Sequence, residues 1–122
     1  MRKSKYHARK VLVGGQKFDS QREAARWQEL LLLQRAGKIS GLRRQVPFLL
    51  IPAQRRTTWD PSKKEFITRC VERKCTYIAD FVYTEAATGK EVVEDAKGVK
   101  TPEYIIKRKL MLERLNIRVK EV

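Results

Sequence analysis

Apolar residues recur along the chain with two different periods, and the switches between them mark the elements. Ala24, Trp27, Leu30 and Leu31 fall with Gln34 on one stripe of a helical wheel, which predicts a helix over 20–36. Ser20 followed by Glu23 has capping-box spacing at its start, and Gly37 supplies a stop. Ahead of it, "KVLVGGQKF" predicts a small hairpin turning at Gly14-Gly15. Beyond it, "VPFLLIPA" predicts a short strand bracketed by Pro47 and Pro52. "QRRTTWDPSKK" reads as a polar, basic connection with a turn at Asp60-Pro61. "EFITRC" and "TYIADFVY" are strand-like runs separated by "VERK", so a hairpin is expected there. "TEAATGKE" is the next turn and "VVEDAKG" the next strand. "KTPEYIIKRKLMLERLN" predicts a helix with Thr101 as cap, Pro102 in the first turn and Asn116 as stop. "IRVKEV" closes the chain as a strand, with Ile117 and Val119 alternating.

Strand, helix, strand over residues 91–122 form a βαβ unit, whose strands should run parallel through a right-handed crossover. The whole reads as an α/β domain of αβββαβ order, a central mixed sheet flanked by helices. The chain of 122 residues suits one domain spanning 1–122. Residues 1–10 carry five Lys/Arg and no acid, a basic N-terminal arm that either lies along phosphates or stays solvated.

Charge then narrows the function. Against 14 Asp+Glu stand 28 Lys+Arg, a net +14 that calls for a polyanionic partner, with nucleic acid ahead of a membrane surface. No segment approaches the roughly 20 apolar residues of a membrane span, and no apolar run follows the basic start as in a secretory leader. A cytoplasmic protein is expected. Cys70, Cys75 and His7 are too few for a structural zinc site. The two cysteines are expected as free thiols, facing each other across the "VERK" hairpin.

Carboxylates on apolar strands are the unusual feature. Alternation puts Ile78, Asp80 and Val82 on one face of their strand, and Tyr77, Ala79, Phe81 and Tyr83 on the other. It puts Val93, Asp95 and Lys97 on one face of the next, and Val92, Glu94 and Ala96 on the other. Pairing across the turn at 84–90 brings Asp80 near Asp95 and Lys97. Two such carboxylates repel unless a cation sits between them, and hard oxygen ligands suit Mg²⁺ or Mn²⁺. The competing reading is a buried Asp–Lys ion pair without metal.

"IADFVY…VVEDAKG" resembles the signature of the PD-(D/E)XK nuclease superfamily. Asp80 matches its first acid and Asp95-Ala96-Lys97 its tripeptide, with Ala79 where the signature carries proline. "FDSQREAARWQEL" is similar to the first-helix motif of small members, in which a glutamate joins the metal site. "LRRQVPFLLIPA" and "GVKTPEYIIKRKLM" resemble the corresponding segments of phage-encoded endonuclease-like members. The resemblance covers nearly the whole chain. It implies a restriction-endonuclease-like core and a Mg²⁺-dependent endodeoxyribonuclease, with Mn²⁺ substituting. Asp80, Asp95, Glu23 and the Ala96 carbonyl would bind metal, and Lys97 would position the attacking water. Glu23 keeps a second reading as the capping-box partner of Ser20. Glu94, on the opposite face from Asp95, is left out of the site.

The basic residues Arg43, Arg44, Arg55, Arg56, Lys63, Lys64, Lys100, Lys107 and Arg108 are candidates for DNA contacts, with Lys109 beside them. Gln45 either reaches the site or DNA, or only flanks a strand. Trp27 is expected in the core. Trp59 either packs its loop down, the favoured reading, or stacks on an unpaired base. The small relatives that are Holliday-junction resolvases imply structure-selective cutting of branched DNA. They also imply a homodimer, partners in recombination or replication, and a phage protein acting inside a bacterial cell. Two alternatives stand beside this: a non-catalytic basic nucleic-acid-binding module, and a nuclease subunit active only with a partner.

Overall fold

The computed structural model describes residues 10–122, so most of the expected basic arm, with His7, lies outside the described residues. Strands β1 (Val11–Val13) and β2 (Gln16–Phe18) form the predicted hairpin. Its turn uses Gly14 and Gly15 at φ +56° and +80°, a pair of left-handed positions that only glycine takes without strain. Helix α1 (Gln21–Arg35) follows, and the Ser20 hydroxyl accepts the Glu23 amide at its start.

Strand β3 runs over Ile39–Ile51, well beyond the short strand expected around "VPFLLIPA". Next come β4 (Gln54–Asp60), β5 (Glu65–Glu72), β6 (Cys75–Glu85) and β7 (Glu91–Asp95). Helix α2 (Pro102–Leu115) is capped by Thr101 and stopped by Asn116 in the left-handed region, as predicted. The closing strand β8 is only Lys120–Glu121, because Ile117 and Val119 pack into the core beneath α2 rather than extending the ladder.

The central sheet has the order β3-β6-β7-β8. The first three strands are antiparallel, and β8 runs parallel to β7, as the βαβ pattern predicts. Among the described residues α1 and α2 are the two helices, and each covers an apolar cluster built on this mixed sheet. One cluster joins Tyr77, Ala79, Val82 and Val93 to Tyr104 and Met111 of α2. The other joins Phe81, Tyr83 and Ile39 to Leu30 of α1, with Trp27 stacked on Phe81 at 5.9 Å. Strand β6 is central and covered on both faces over Ala79–Tyr83, which accounts for the apolar residues on both of its faces there.

Three expectations are corrected. The polar stretch "QRRTTW" is a strand, not a connection: β4 pairs with β5 in a separate two-stranded ribbon. The hairpin therefore turns at Asp60-Pro61, where the Asp60 carboxylate accepts the Ser62 amide and hydroxyl, and not at "VERK". Strand β5 consequently does not pair with β6, and Cys70 and Cys75 lie opposite Arg55 and Ile51 respectively, both as free thiols. The third correction concerns alternation along β6. Tyr77, Ala79 and Val82 share a cluster, while Phe81 and Tyr83 belong to the other. The faces exchange at Asp80. Opposite it, between the pairs Arg44–Phe81 and Val46–Ala79, Gln45 adopts φ +52° and leaves the regular ladder. With the β4–β5 ribbon set aside, the order from α1 onward is αβββαβ.

Candidate functional site

The exchange of faces at Asp80 turns its carboxylate into a cleft of about 660 Å³ between the start of α1, the middle of β6 and the segment after β7. Glu23, Asp80, Asp95, Ala96 and Lys97 all line it. Asp80 and Asp95 are 7% and 1% exposed, and Glu23 is 3% exposed. Burying three acids together on a chain of net +14 demands specific support.

That support differs for each. Asp80 Oδ2 accepts the Ala96 amide at 2.8 Å, which ties β6 to the end of β7. Gln45 Nε2 bridges the other two elements, donating to Glu23 Oε1 at 3.2 Å and to Asp80 Oδ1 at 3.5 Å. Arg44 Nη2 stands 3.4 Å from the same Glu23 oxygen. Asp95 Oδ2 accepts the Tyr77 hydroxyl. Among the described residues, Asp95 Oδ1 is buried and accepts no hydrogen bond, and its salt-bridge partner is Lys97 Nζ at 3.8 Å.

Burial, and then the neighbouring Asp80 charge, push the Asp95 carboxyl up to about 7, against the opposing pull of Tyr77 and Lys97. Burial likewise raises Glu23, with Asp80 and Asp19 adding to it and Arg44 opposing. The Tyr77 phenol is raised too, by burial first and by Asp95 second, so it remains a donor.

Glu23 sits between its two sequence readings. The Ser20 half of a capping box is formed, but the Glu23 side chain turns to Gln45 and Arg44 inside the cleft. Glu94 faces away from Asp95, as alternation predicts. It is fully buried on the α1 side, where Arg26 grips it through Nε at 2.8 Å and Nη2 at 2.7 Å and the Tyr83 hydroxyl also donates.

The basic candidates divide by what they touch. Arg44 is mostly buried: its guanidinium bonds Lys17 O and Glu23 and lies 3.8 Å over the Phe18 ring, so most of its donors are already engaged within the protein. Lys100 and Arg108 both meet Glu121, whose carboxyl the Tyr104 hydroxyl and these cations hold below its usual range. Lys107 pairs with Glu103 while lining the cleft, and Arg43 pairs with Glu91. Among the described residues Arg55, Arg56, Lys63 and Lys64, all on the ribbon, have no carboxylate partner. Sequence reasoning missed Arg22 and Tyr77 at the cleft. Arg22 had a signal, being adjacent to Glu23. Tyr77 had none, because strict alternation assigns it to the face away from Asp80.

Among the described residues no group of three or more Asp, Glu, His or Cys side chains stands ready-made around a single point for a metal ion. The Gln45 amide occupies the space between Glu23 and Asp80. The remaining pair does fit a divalent cation. Asp80 and Asp95 are neighbouring carboxylates, and Asp95 Oδ1 is a buried acceptor without a donor. No helix among the described residues is long and apolar enough to cross a membrane.

Fold and cleft together define an α/β protein with a buried acidic cleft on a strongly basic chain. The chain belongs to the family described as "Protein of unknown function (DUF1064)", whose model matches residues 3–121. No curated protein and no solved structure matches it.

Proposed function

We propose that this protein is a metal-dependent DNA endonuclease with a PD-(D/E)XK core, cutting branched DNA in preference to plain duplex. The observation that carries the reading is the convergence of Asp80, Asp95 and Lys97 on one cleft, with an unpartnered carboxylate oxygen between them. A binding module without chemistry accounts for the charge, but gives no reason to bury three acids together.

In this reading Asp80 and Asp95 hold Mg²⁺, or Mn²⁺ in its place, with the Ala96 carbonyl and Glu23 beside them. When bound, the ion supplies an acidified water and neutralises charge at the phosphoryl group. Tyr77 fixes one oxygen of Asp95 and leaves the other facing Lys97. The Ala96 amide fixes Asp80 in the same way. Lys97, half-exposed at the cleft, orients the attacking water and faces the phosphoryl oxygen on which charge grows. Water adds to phosphorus and gives up a proton to solvent, the bond to the 3′ oxygen breaks, and that oxygen takes a proton from solvent. The products are a 3′-hydroxyl and a 5′-phosphate. Lys107 and Arg22 at the cleft mouth take flanking phosphates.

The test is cleavage of an end-labelled four-way junction, linear duplex and single strand in Mg²⁺, Mn²⁺ or EDTA, beside Asp80→Ala. Metal-dependent cutting, strongest on the junction and lost in the variant, is expected. Cutting that persists in Asp80→Ala overturns the assignment of the site.

A further inference from the structure

The β4–β5 ribbon has no place in the cleft, yet it is the most exposed part of the described chain. Across both strands only Asp60 and Ile67 are even half-buried. A two-stranded ribbon that buries neither face is marginal in water by itself, so its composition should reflect a partner. Residues 54–74 carry seven Lys/Arg against three Asp/Glu.

The register sorts the side chains. Arg55 with Cys70, Thr57 with Thr68, and Trp59 with Phe66 are successive same-face pairs. The two threonine hydroxyls bond at 2.8 Å. Trp59 and Phe66 meet edge-on at 5.1 Å and remain 52% and 71% exposed. One face of the ribbon therefore presents an aromatic pair, two hydroxyls and an arginine. The opposite face carries Arg56 and Arg69, and the turn carries Lys63 and Lys64.

The root of the ribbon adjoins the cleft. Strand β6 begins at Cys75, and Thr76, Tyr77 and Ile78 form part of the cleft wall. A strand of this length reaches about 20–25 Å, roughly the spacing of six or seven stacked bases.

We infer that the ribbon is a probe for unpaired bases, with Trp59 and Phe66 stacking on a base face while Arg55, Arg56, Arg69, Lys63 and Lys64 take the adjoining phosphates. This deepens the endonuclease reading and rests on it for the link to cutting. Paired duplex offers base edges in its grooves, which are read by hydrogen-bonding side chains; an exposed aromatic pair matches base faces, which only unpaired or unstacked nucleotides offer. A second copy of the chain is a poor occupant, since it brings the same positive surplus to the contact. The stacking role that sequence reasoning ranked second for Trp59 is the one its exposure favours.

The test is equilibrium binding of the full chain in EDTA, where nothing is cut, to a duplex with a short gap or bulge and to the fully paired duplex of equal length. A fluorescent base analogue at the unpaired position reports stacking directly. Trp59→Leu/Phe66→Leu is the variant, because it keeps an apolar cross-strand pair and so keeps the ribbon. Wild type should prefer the unpaired substrate and quench the analogue. The variant should lose about tenfold of that preference, and the quenching with it. An unchanged preference ratio in the variant overturns the inference, as does a wild type that binds both substrates equally. A variant that instead turns a wild-type dimer into a monomer assigns the ribbon to self-association, and overturns it too. A protein that shows this binding but cuts nothing contradicts the endonuclease reading alone. One that cuts, with a preference indifferent to the ribbon, contradicts this inference alone.

Discussion

The Asp80 carboxylate accepts the Ala96 amide at 2.8 Å, so an acid in the middle of β6 is anchored to the residue between Asp95 and Lys97. That bond sets the spacing of the two carboxylates without using a lone pair of Asp95.

Asp95 gives the first prediction. Its folded-state value is raised from 3.8 to about 7, so between those limits the unfolded chain gives up a proton that the folded chain keeps. Asp95's contribution to stability is therefore greatest below pH 4, falls as pH rises through this window, and stays at its lower level above it. The loss is on the order of 2–4 kcal/mol. In EDTA at pH 8, Asp95→Asn should melt higher than wild type. Adding Mg²⁺ should raise wild type and leave the variant where it is. Thermal unfolding of wild type and Asp95→Asn across pH 4–8 checks the sign: the margin by which the variant melts higher should widen as pH rises, and a margin that shrinks contradicts it.

The Arg26–Glu94 pair gives the second. Glu94 is fully buried and takes two hydrogen bonds from Arg26, which hold the guanidinium above its usual value. Arg26→Met alone leaves a buried charge without its cation and should cost about 3–5 kcal/mol. Arg26→Met/Glu94→Leu should recover most of that. Urea unfolding of the single and double variants measures both. Equal destabilisation in the two would show that volume, not charge, is what the site needs.

Gln45 gives the third. Among the described residues its amide is the only side-chain link between Glu23 and Asp80, and it is held in a left-handed conformation opposite the acid. Gln45→Ala should lower stability in EDTA by about 1–3 kcal/mol, because two buried acids lose their common donor. Mg²⁺ should then stabilise the variant by more than it stabilises wild type. Paired melting curves with and without the ion read this directly; an identical gain in both proteins removes Gln45 from the site.

The helices were legible because their signals are local. Ser20, Thr101 and Asn116 each act on backbone groups within four residues, so spacing alone places them. The sheet was legible where strict alternation holds, as in the split between Asp95 and Glu94, which face opposite sides of β7. The ribbon was not. Its strands bury neither face, so no alternation marks β4, and nothing in the sequence distinguishes β4 from β6 as the partner of β5. The break at Asp80 was hidden for a different reason. It depends on the conformation of Gln45 across the sheet, and nothing in "LRRQVPF" marks a left-handed residue. Arg44 and Arg26 were beyond reach for the same cause: their partners lie 21 and 68 residues away, and composition cannot say which arginine turns inward. Glu23 stayed undecided because a cap and a site residue have the same spacing; only the direction of its side chain separates them.

The measurement that tests the central claim most directly is single-turnover cleavage of a labelled four-way junction in Mg²⁺ by wild type and by Lys97→Ala, with folding of both checked by circular dichroism. The account predicts cutting by wild type that EDTA abolishes, with 5′-phosphate ends, and a rate at least about 100-fold lower in the variant. A folded Lys97→Ala that cuts at the wild-type rate, or a wild type that cuts no DNA substrate in either Mg²⁺ or Mn²⁺, would contradict it.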